Sequence, residues 1–166
     1  GTTDKEFLQR AYLRLHDVLN DEWQSSAKDL PYKTPYEALI MASIIEKETS
    51  LASERSTIAG VFIRRLNKGM KLQTDPTVIY ALGKDFNGDI RKKDLNIDSP
   101  YNTYRYKGLP PSPIALVGRE AIHAALNPET GKSLYFVAKG DGSHYFSDTL
   151  KEHNQAVVKY QLKKNN

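Results

Sequence analysis

A chain of 166 residues, 39% hydrophobic and 27% charged, is large enough to bury one core and polar enough to stay in water. It has no cysteine, which excludes a disulfide framework, thiol catalysis and cysteine-based zinc sites. No apolar run approaches the length of a membrane span or the pattern of a secretory leader. The formal net charge of +4 leaves two readings open, an ordinary basic surface or an anionic partner such as nucleic acid, a membrane surface or an acidic polymer.

Phe7, Leu8, Ala11, Leu15, Val18 and Leu19 recur at helical spacing, which predicts a helix over residues 4–29, stopped by Leu30-Pro31. After a connector at 32–34, Thr34 is a candidate N-cap with Pro35 in the first turn, and this second helix runs to about Ser50. Ser53 opens a third helix, with Ile58, Val61, Phe62 and Leu66 on one face and Gly69 at its end. Asp75-Pro76 reads as N-cap and first residue of a short helix to Leu82. Residues 83–100 are polar and turn-rich, with 94–97 partly ordered, and 101–114 form a long loop stiffened by Pro110, Pro111 and Pro113. A helix follows over 118–126, closed by Asn127-Pro128. Residues 134–139 and 144–147 predict two antiparallel strands around the Gly140-Asp141-Gly142 turn. Asp148 or Thr149 then caps a last helix to about Lys163. The fold class is therefore α+β, a helix-rich single domain with a small antiparallel β element.

One residue stands out chemically. Ile40, Met41, Ile44 and Ile45 make an apolar stripe on a helix that turns about 100° per residue, and Glu48 falls within that stripe at the last turn. Glu46 points roughly 200° away from Ile44. A carboxyl on a greasy face is partly desolvated, which raises its pKa and keeps it protonated near neutrality. Such a group suits the general acid of glycosidic-bond cleavage; the alternative is an ordinary half-solvated helix terminus. Ser43, Thr49 and Ser50 are candidate hydrogen-bond partners for Glu48, and Arg55 is a candidate ion-pair partner for Glu46 or Glu54.

Two polar segments are candidate sugar contacts. Gln73 and Thr74 would line a cleft wall, with Asp75 acting at least as a helix cap. Tyr101, Asn102, Thr103 and Tyr104 combine aromatic faces with amide and hydroxyl groups, although a loop pinned by its tyrosines would look the same. The Tyr104-Arg105-Tyr106-Lys107 alternation also suggests a single-strand nucleic-acid platform, but no RNP-type or Gly-x-x-Gly signature supports one. His16, His123, His144 and His153 lack metal-ligand spacing and read as surface or packed side chains, so no metal is expected. There is no Gly-x-Ser-x-Gly elbow and no P-loop.

In order along the chain stand ASIIEKETS at 42–50, Ser53-Glu54-Arg55, LQTDPTVIY at 72–80, YNTY at 101–104, Gly108-Leu109-Pro110-Pro111, LYFVA at 134–138 and His153-Asn154. This set resembles the catalytic domain of the endolytic murein transglycosylases, the YceG-like family, over about residues 30–160, with residues 1–29 as a helix leading into it. The resemblance implies a lytic transglycosylase that cuts the β-1,4 bond between N-acetylmuramic acid and N-acetylglucosamine and leaves 1,6-anhydro ends. It implies a loosely lysozyme-like cleft, lined by the Glu48 helix and bordered by the 101–114 loop. Glu48, the second glutamate of Glu-Lys-Glu, matches the family's acid, and Thr49 fits the Ser or Thr that follows it. Gln73, Asp75, Tyr101, Asn102, Thr103 and Tyr104 would position sugars, with no cofactor.

Peptidoglycan strands are the implied partner, a glycan-polymerising synthase is implied by the family alone, and no nucleic acid is expected. The implied location is the periplasmic face of the bacterial inner membrane, through an anchor outside these residues; Gly1 before Thr2 reads as an expression remnant of a longer protein. Two alternatives stay open: a muramidase in which Asp75 or Glu54 activates water, and a non-catalytic murein- or nucleic-acid-binding module.

Overall fold

The computed structural model describes residues 2–162. At its centre lies α2 (Pro35–Glu48), started by Thr34, whose Oγ1 accepts from the Glu37 N–H at 3.4 Å, with Pro35 in the first turn. Ala38, Ile40, Met41, Ala42, Ser43, Ile44 and Ile45 are all buried. The stripe expected from the sequence is thus wider in the structure, because α1 (Asp4–Gln24), α3 (Arg55–Asn67), α4 (Asp75–Leu82) and α5 (Arg119–Leu126) all pack against α2. A helix enclosed by neighbours loses its polar face. The α2–α5 contact is the most extensive of these; Ala121, Ala124 and Ala125 carry little side chain and let the axes come close.

Helix α1 is started by a capping box between Thr3 and Glu6. It stops at Gln24, short of the expected residue 29. Ser25 Oγ turns back onto the Asp21 and Glu22 carbonyls at 3.2 and 3.3 Å, and the Ala27 N–H goes to the Leu126 carbonyl at 2.9 Å. Leu15, Val18, Leu19 and Trp23 pack on the core, whereas Phe7, Leu8, Tyr12 and Leu13 are exposed. Buried Glu22 locks α1 to α5 by accepting from Arg119 Nε and His123 Nδ1, each at 2.7 Å. Burial alone would raise its pKa, but these two partners outweigh it and hold the carboxyl below the usual range.

A 3₁₀ turn at Ala52–Glu54 leads into α3. Gly60 has no room for a side chain, since a Cβ there would lie 2.4 Å from the Glu129 carbonyl oxygen. Segment 127–131 can therefore lie flat on α3, tied by the Glu129 N–H to the Ser56 carbonyl at 2.9 Å. Helix α4 differs by one residue from the expectation: Thr74 occupies the N-cap and Asp75 is the first helical residue. Thr and Asp are both good N-caps and Pro is welcome at either following position, so local preference cannot separate the two registers.

Residues 83–100 are turn-rich as expected, with 3₁₀ turns at Gly83–Asp85 and Asp94–Asn96. Strands β1 (Tyr135–Ala138) and β2 (His144–Ser147) form an antiparallel pair with Phe136 opposite Phe146. The connecting turn places Gly140 and Gly142 at φ near +88° and +90°, which glycine alone tolerates cheaply. Thr149, not Asp148, caps α6 (Leu150–Val157) through a second capping box. A π turn at Val158–Leu162 continues it; the expected end at Lys163 lies outside the described residues. The fold is α+β, helices around α2 with one small hairpin packed on α3 and α6. No helix among the described residues is long and apolar enough to cross a membrane.

Candidate active site

A cleft of about 470 Å³ opens between the C-terminal end of α2 and the β hairpin, within the usual size of ligand sites. Glu48, at the last turn of α2, is part-buried in it. Arg65, Gln73, Asp75 and Tyr104 line it together with all four β1 residues, His144, His153 and Asn154.

Among the described residues the Glu48 carboxyl has one donor, Thr74 Oγ1, at 2.9 Å from Oε2. Its pKa is raised to about 7. Burial is the largest cause, the Thr74 bond opposes it, and the charge of Asp75 adds to it. The hydrogen-bond partners expected from neighbouring sequence do other work. Ser43 Oγ donates to the Ile40 carbonyl and accepts from the Ile114 N–H. Thr49 Oγ1 accepts from the Leu51 N–H at 3.0 Å, and Ser50 is exposed. Thr74 was expected to face sugars; instead it is buried and turned onto the acid.

Glu46 does not line the cleft. Its Oε2 accepts from the Gly118 N–H at 3.0 Å, and Oε1 lies 3.9 Å from Arg55, which also pairs with Glu120. Arg55 thus engages Glu46 as one of its two expected partners and not Glu54. Glu54 faces His144.

Asp75 lines the cleft and accepts from the Tyr104 hydroxyl at 2.6 Å. Burial, then Asp75, push the Tyr104 pKa up, so the phenol stays a donor. Gln73 reaches the cleft from a backbone at φ +52°, in the left-handed region. Its N–H goes to the Thr103 carbonyl at 3.1 Å. Arg65 clamps this turn: Nη1 donates to the carbonyls of Lys71 and Leu72 at 2.9 and 3.1 Å, and Nε to that of Leu134 at 2.6 Å. The same guanidinium lies over the Tyr135 ring at 4.9 Å, and that ring stacks on His153 at 5.2 Å.

Tyr101, Asn102 and Thr103 are not among the cleft-lining residues. Tyr101 packs on Tyr80 and bonds Ser112 Oγ at 2.6 Å. Asn102 is fully buried, donating to the carbonyls of Leu95 and Ile97 and accepting from the Tyr104 N–H. Thr103 Oγ1 accepts from the Thr74 N–H at 3.1 Å and lies 2.8 Å from Thr77 Oγ1. These side chains hold the Thr74–Asp75 backbone and the loop in place. Of the 101–114 loop only Tyr104 borders the cleft.

Arg65, Tyr135, His144 and His153 line the site without having been assigned to it from sequence, where the two histidines read as surface or packed side chains. Their signal was membership of the spaced motifs at 134–138 and 153–154 for Tyr135 and His153; Arg65 and His144 had none beyond their residue type. Chemically the cleft offers a proton donor poised near neutrality, a second carboxyl group, and apolar and aromatic lining.

The sequence model of the YceG-like family matches residues 1–159. The endolytic murein transglycosylase of Bacillus subtilis strain 168 is 52% identical over 130 residues, which are 78% of this chain and 36% of that protein. That of Streptococcus pneumoniae strain D39 is 37% identical over 132 residues, 76% of this chain and 24% of that protein. A crystal structure of a YceG-like protein from Listeria monocytogenes superposes with a TM-score of 0.77 at 43% identity, covering 93% of this chain and 50% of the other. This chain therefore spans about a third or less of the length of these curated relatives. With matches along nearly its whole length in sequence and in fold, the chain belongs to the YceG-like family.

Proposed function

We propose that this chain carries the catalytic core of a lytic transglycosylase that cuts peptidoglycan glycan strands internally, at the β-1,4 bond between N-acetylmuramic acid and N-acetylglucosamine. The observation that carries the reading is Glu48: a carboxyl lining a cleft, with its pKa raised to about 7 and Thr74 as its one donor among the described residues. The names of the relatives, endolytic murein transglycosylases, support the substrate class.

In this mechanism protonated Glu48 gives its proton to the glycosidic oxygen as the bond to C1 breaks. Positive charge develops on the muramic ring and is shared by the substrate's own N-acetyl group. The Glu48 carboxylate then takes the proton of the muramic C6 hydroxyl as that oxygen attacks C1. The product is a 1,6-anhydro end, no water is consumed, and Glu48 returns to its protonated form. Gln73, Asp75 and Tyr104 orient the sugars, while Thr103 fixes the Thr74 backbone from behind and Tyr101 and Asn102 hold the loop that carries Tyr104.

One observation favours a second reading. Asp75 shares the cleft with Glu48, and paired carboxyls are the usual equipment of glycoside hydrolysis. There Asp75 would activate water and the product would be a reducing end. Mass spectrometry of a murein digest separates the two: an anhydro end is one water lighter than a reducing end. We expect anhydro products, and reducing ends alone would replace the lyase with the hydrolase. The proposed location is the periplasmic face of the bacterial inner membrane, through an anchor outside these residues. Pairing with a glycan-polymerising synthase belongs to the same proposal. Recovery of the protein, expressed at its natural level, in the cytosolic fraction would overturn the location.

A further inference from the structure

The mechanism above makes no use of the imidazole of His144. His144, first residue of β2, lines the same cleft as Glu48. Its backbone N–H donates to Glu54 Oε1 at 3.0 Å, and its Nδ1 lies 2.7 Å from Glu54 Oε2. An ionised carboxylate only accepts hydrogen bonds, so Nδ1 must carry a proton. In the neutral ring that leaves Nε2 as a bare lone pair. Both side chains are largely buried, 11% exposed for His144 and 16% for Glu54, and the ring stands edge-on to Phe136 at 5.3 Å and 89°. The imidazole therefore cannot swing away, and among the described residues Glu54 is the only hydrogen-bond partner of His144.

Glu54 sits in the 3₁₀ turn just beyond the Glu48 helix. The pair thus ties the chain segment that follows the acid to the hairpin wall. A fixed acceptor in a cleft calls for a donor on the ligand. A glycan supplies hydroxyl and acetamido N–H groups, and a neutral acceptor binds them without burying another charge.

We propose that His144 binds the glycan by accepting a hydrogen bond at Nε2 from a substrate hydroxyl or acetamido N–H, with Glu54 as the positioning residue that fixes its tautomer. This rests on the reading of the cleft as a glycan site.

The test is the affinity of the Glu48→Gln protein for purified oligomers of the murein disaccharide repeat, measured by titration calorimetry so that turnover does not intervene. Adding His144→Asn keeps a donor toward Glu54 but removes the Nε2 acceptor, and the Kd should rise about tenfold, the effect of losing one hydrogen bond. Adding Glu54→Gln preserves the bond between the two residues but reverses it. The new amide donates to Nδ1, the ring proton moves to Nε2, and the same loss of affinity is expected. A purely structural pair would tolerate that exchange. Nitrogen-15 NMR of His144 in Glu48→Gln, with no change at the pair, gives an answer even where a variant fails to fold: a protonated Nδ1, and an Nε2 resonance that shifts on adding the oligomers. Unchanged affinity in both variants, or a protonated Nε2 in the unliganded protein, would overturn this inference alone. Absence of any oligomer binding by the Glu48→Gln parent would overturn the glycan reading itself, and this inference with it.

Discussion

Glu48 owes its high pKa to where α2 ends. Burial at the end of a helix whose apolar residues face the core strips water from the carboxyl, and Asp75 adds a like charge nearby. Thr74 works in the opposite direction by donating to the ionised form. Replacing Thr74 by Val therefore raises the Glu48 pKa further. The acid form persists to higher pH, and the basic limb of the profile of kcat/KM against pH shifts upward; a limb that stayed in place or moved down would contradict this assignment of the Thr74 bond. The helical wheel could find Glu48 because the relation between it and Ile44 is local. It could not find Thr74, whose bond to Glu48 crosses 26 residues of sequence. The same limit explains Asn102 and Thr103. Residue type marks them as able to bind sugar amides, but burial decides that they bind backbone instead.

At the scale of elements, caps and breakers were legible because they act over a few residues. Thr34-Pro35, Gly69 and the Gly140-Asp141-Gly142 turn all stand where their chemistry puts them. The end of α1 was not, since the chain leaves the helix to reach the Leu126 carbonyl, a partner on another element. The close seat of segment 127–131 on α3 was equally invisible, although a lone glycine within a helix hints at such an approach. Gly60→Ala forces a Cβ against the Glu129 carbonyl oxygen at 2.4 Å, where backbone must move. Overpacking of this kind should cost about 1–3 kcal/mol, read as a fall in thermal midpoint. Alanine normally strengthens a helix, so an unchanged or higher midpoint would mean that the segment is free to lift away.

Across the whole molecule the site carries a stability cost that follows from its function. Glu48 holds its proton in the folded chain up to about pH 7 but releases it near the ordinary carboxylate range when unfolded. Between those values the folded state binds more protons than the unfolded one, so stability falls as pH rises and the loss is complete above pH 7. A neutral amide escapes this. Glu48→Gln should be more stable than the parent at pH 8 by roughly 3 kcal/mol, with the gap closing below about pH 4; denaturant melts at the two pH values measure it, and equal stability at pH 8 would show a solvated carboxyl. The fold class and the run of elements were readable because each is set by periodicity and caps. The cleft was readable at Glu48, Gln73, Asp75 and Tyr104 but not along β1, β2 and α6, which meet Glu48 only in the folded chain. At the centre of the site lies the choice of which of two nearby glutamates lends the proton. Turnover of purified glycan strands by Glu48→Gln and Glu46→Gln, compared side by side with both variants shown to be folded, tests it most directly. Loss of about 10²–10⁴-fold in Glu48→Gln is expected, with Glu46→Gln close to the parent; a dead Glu46→Gln beside an active Glu48→Gln would contradict the account.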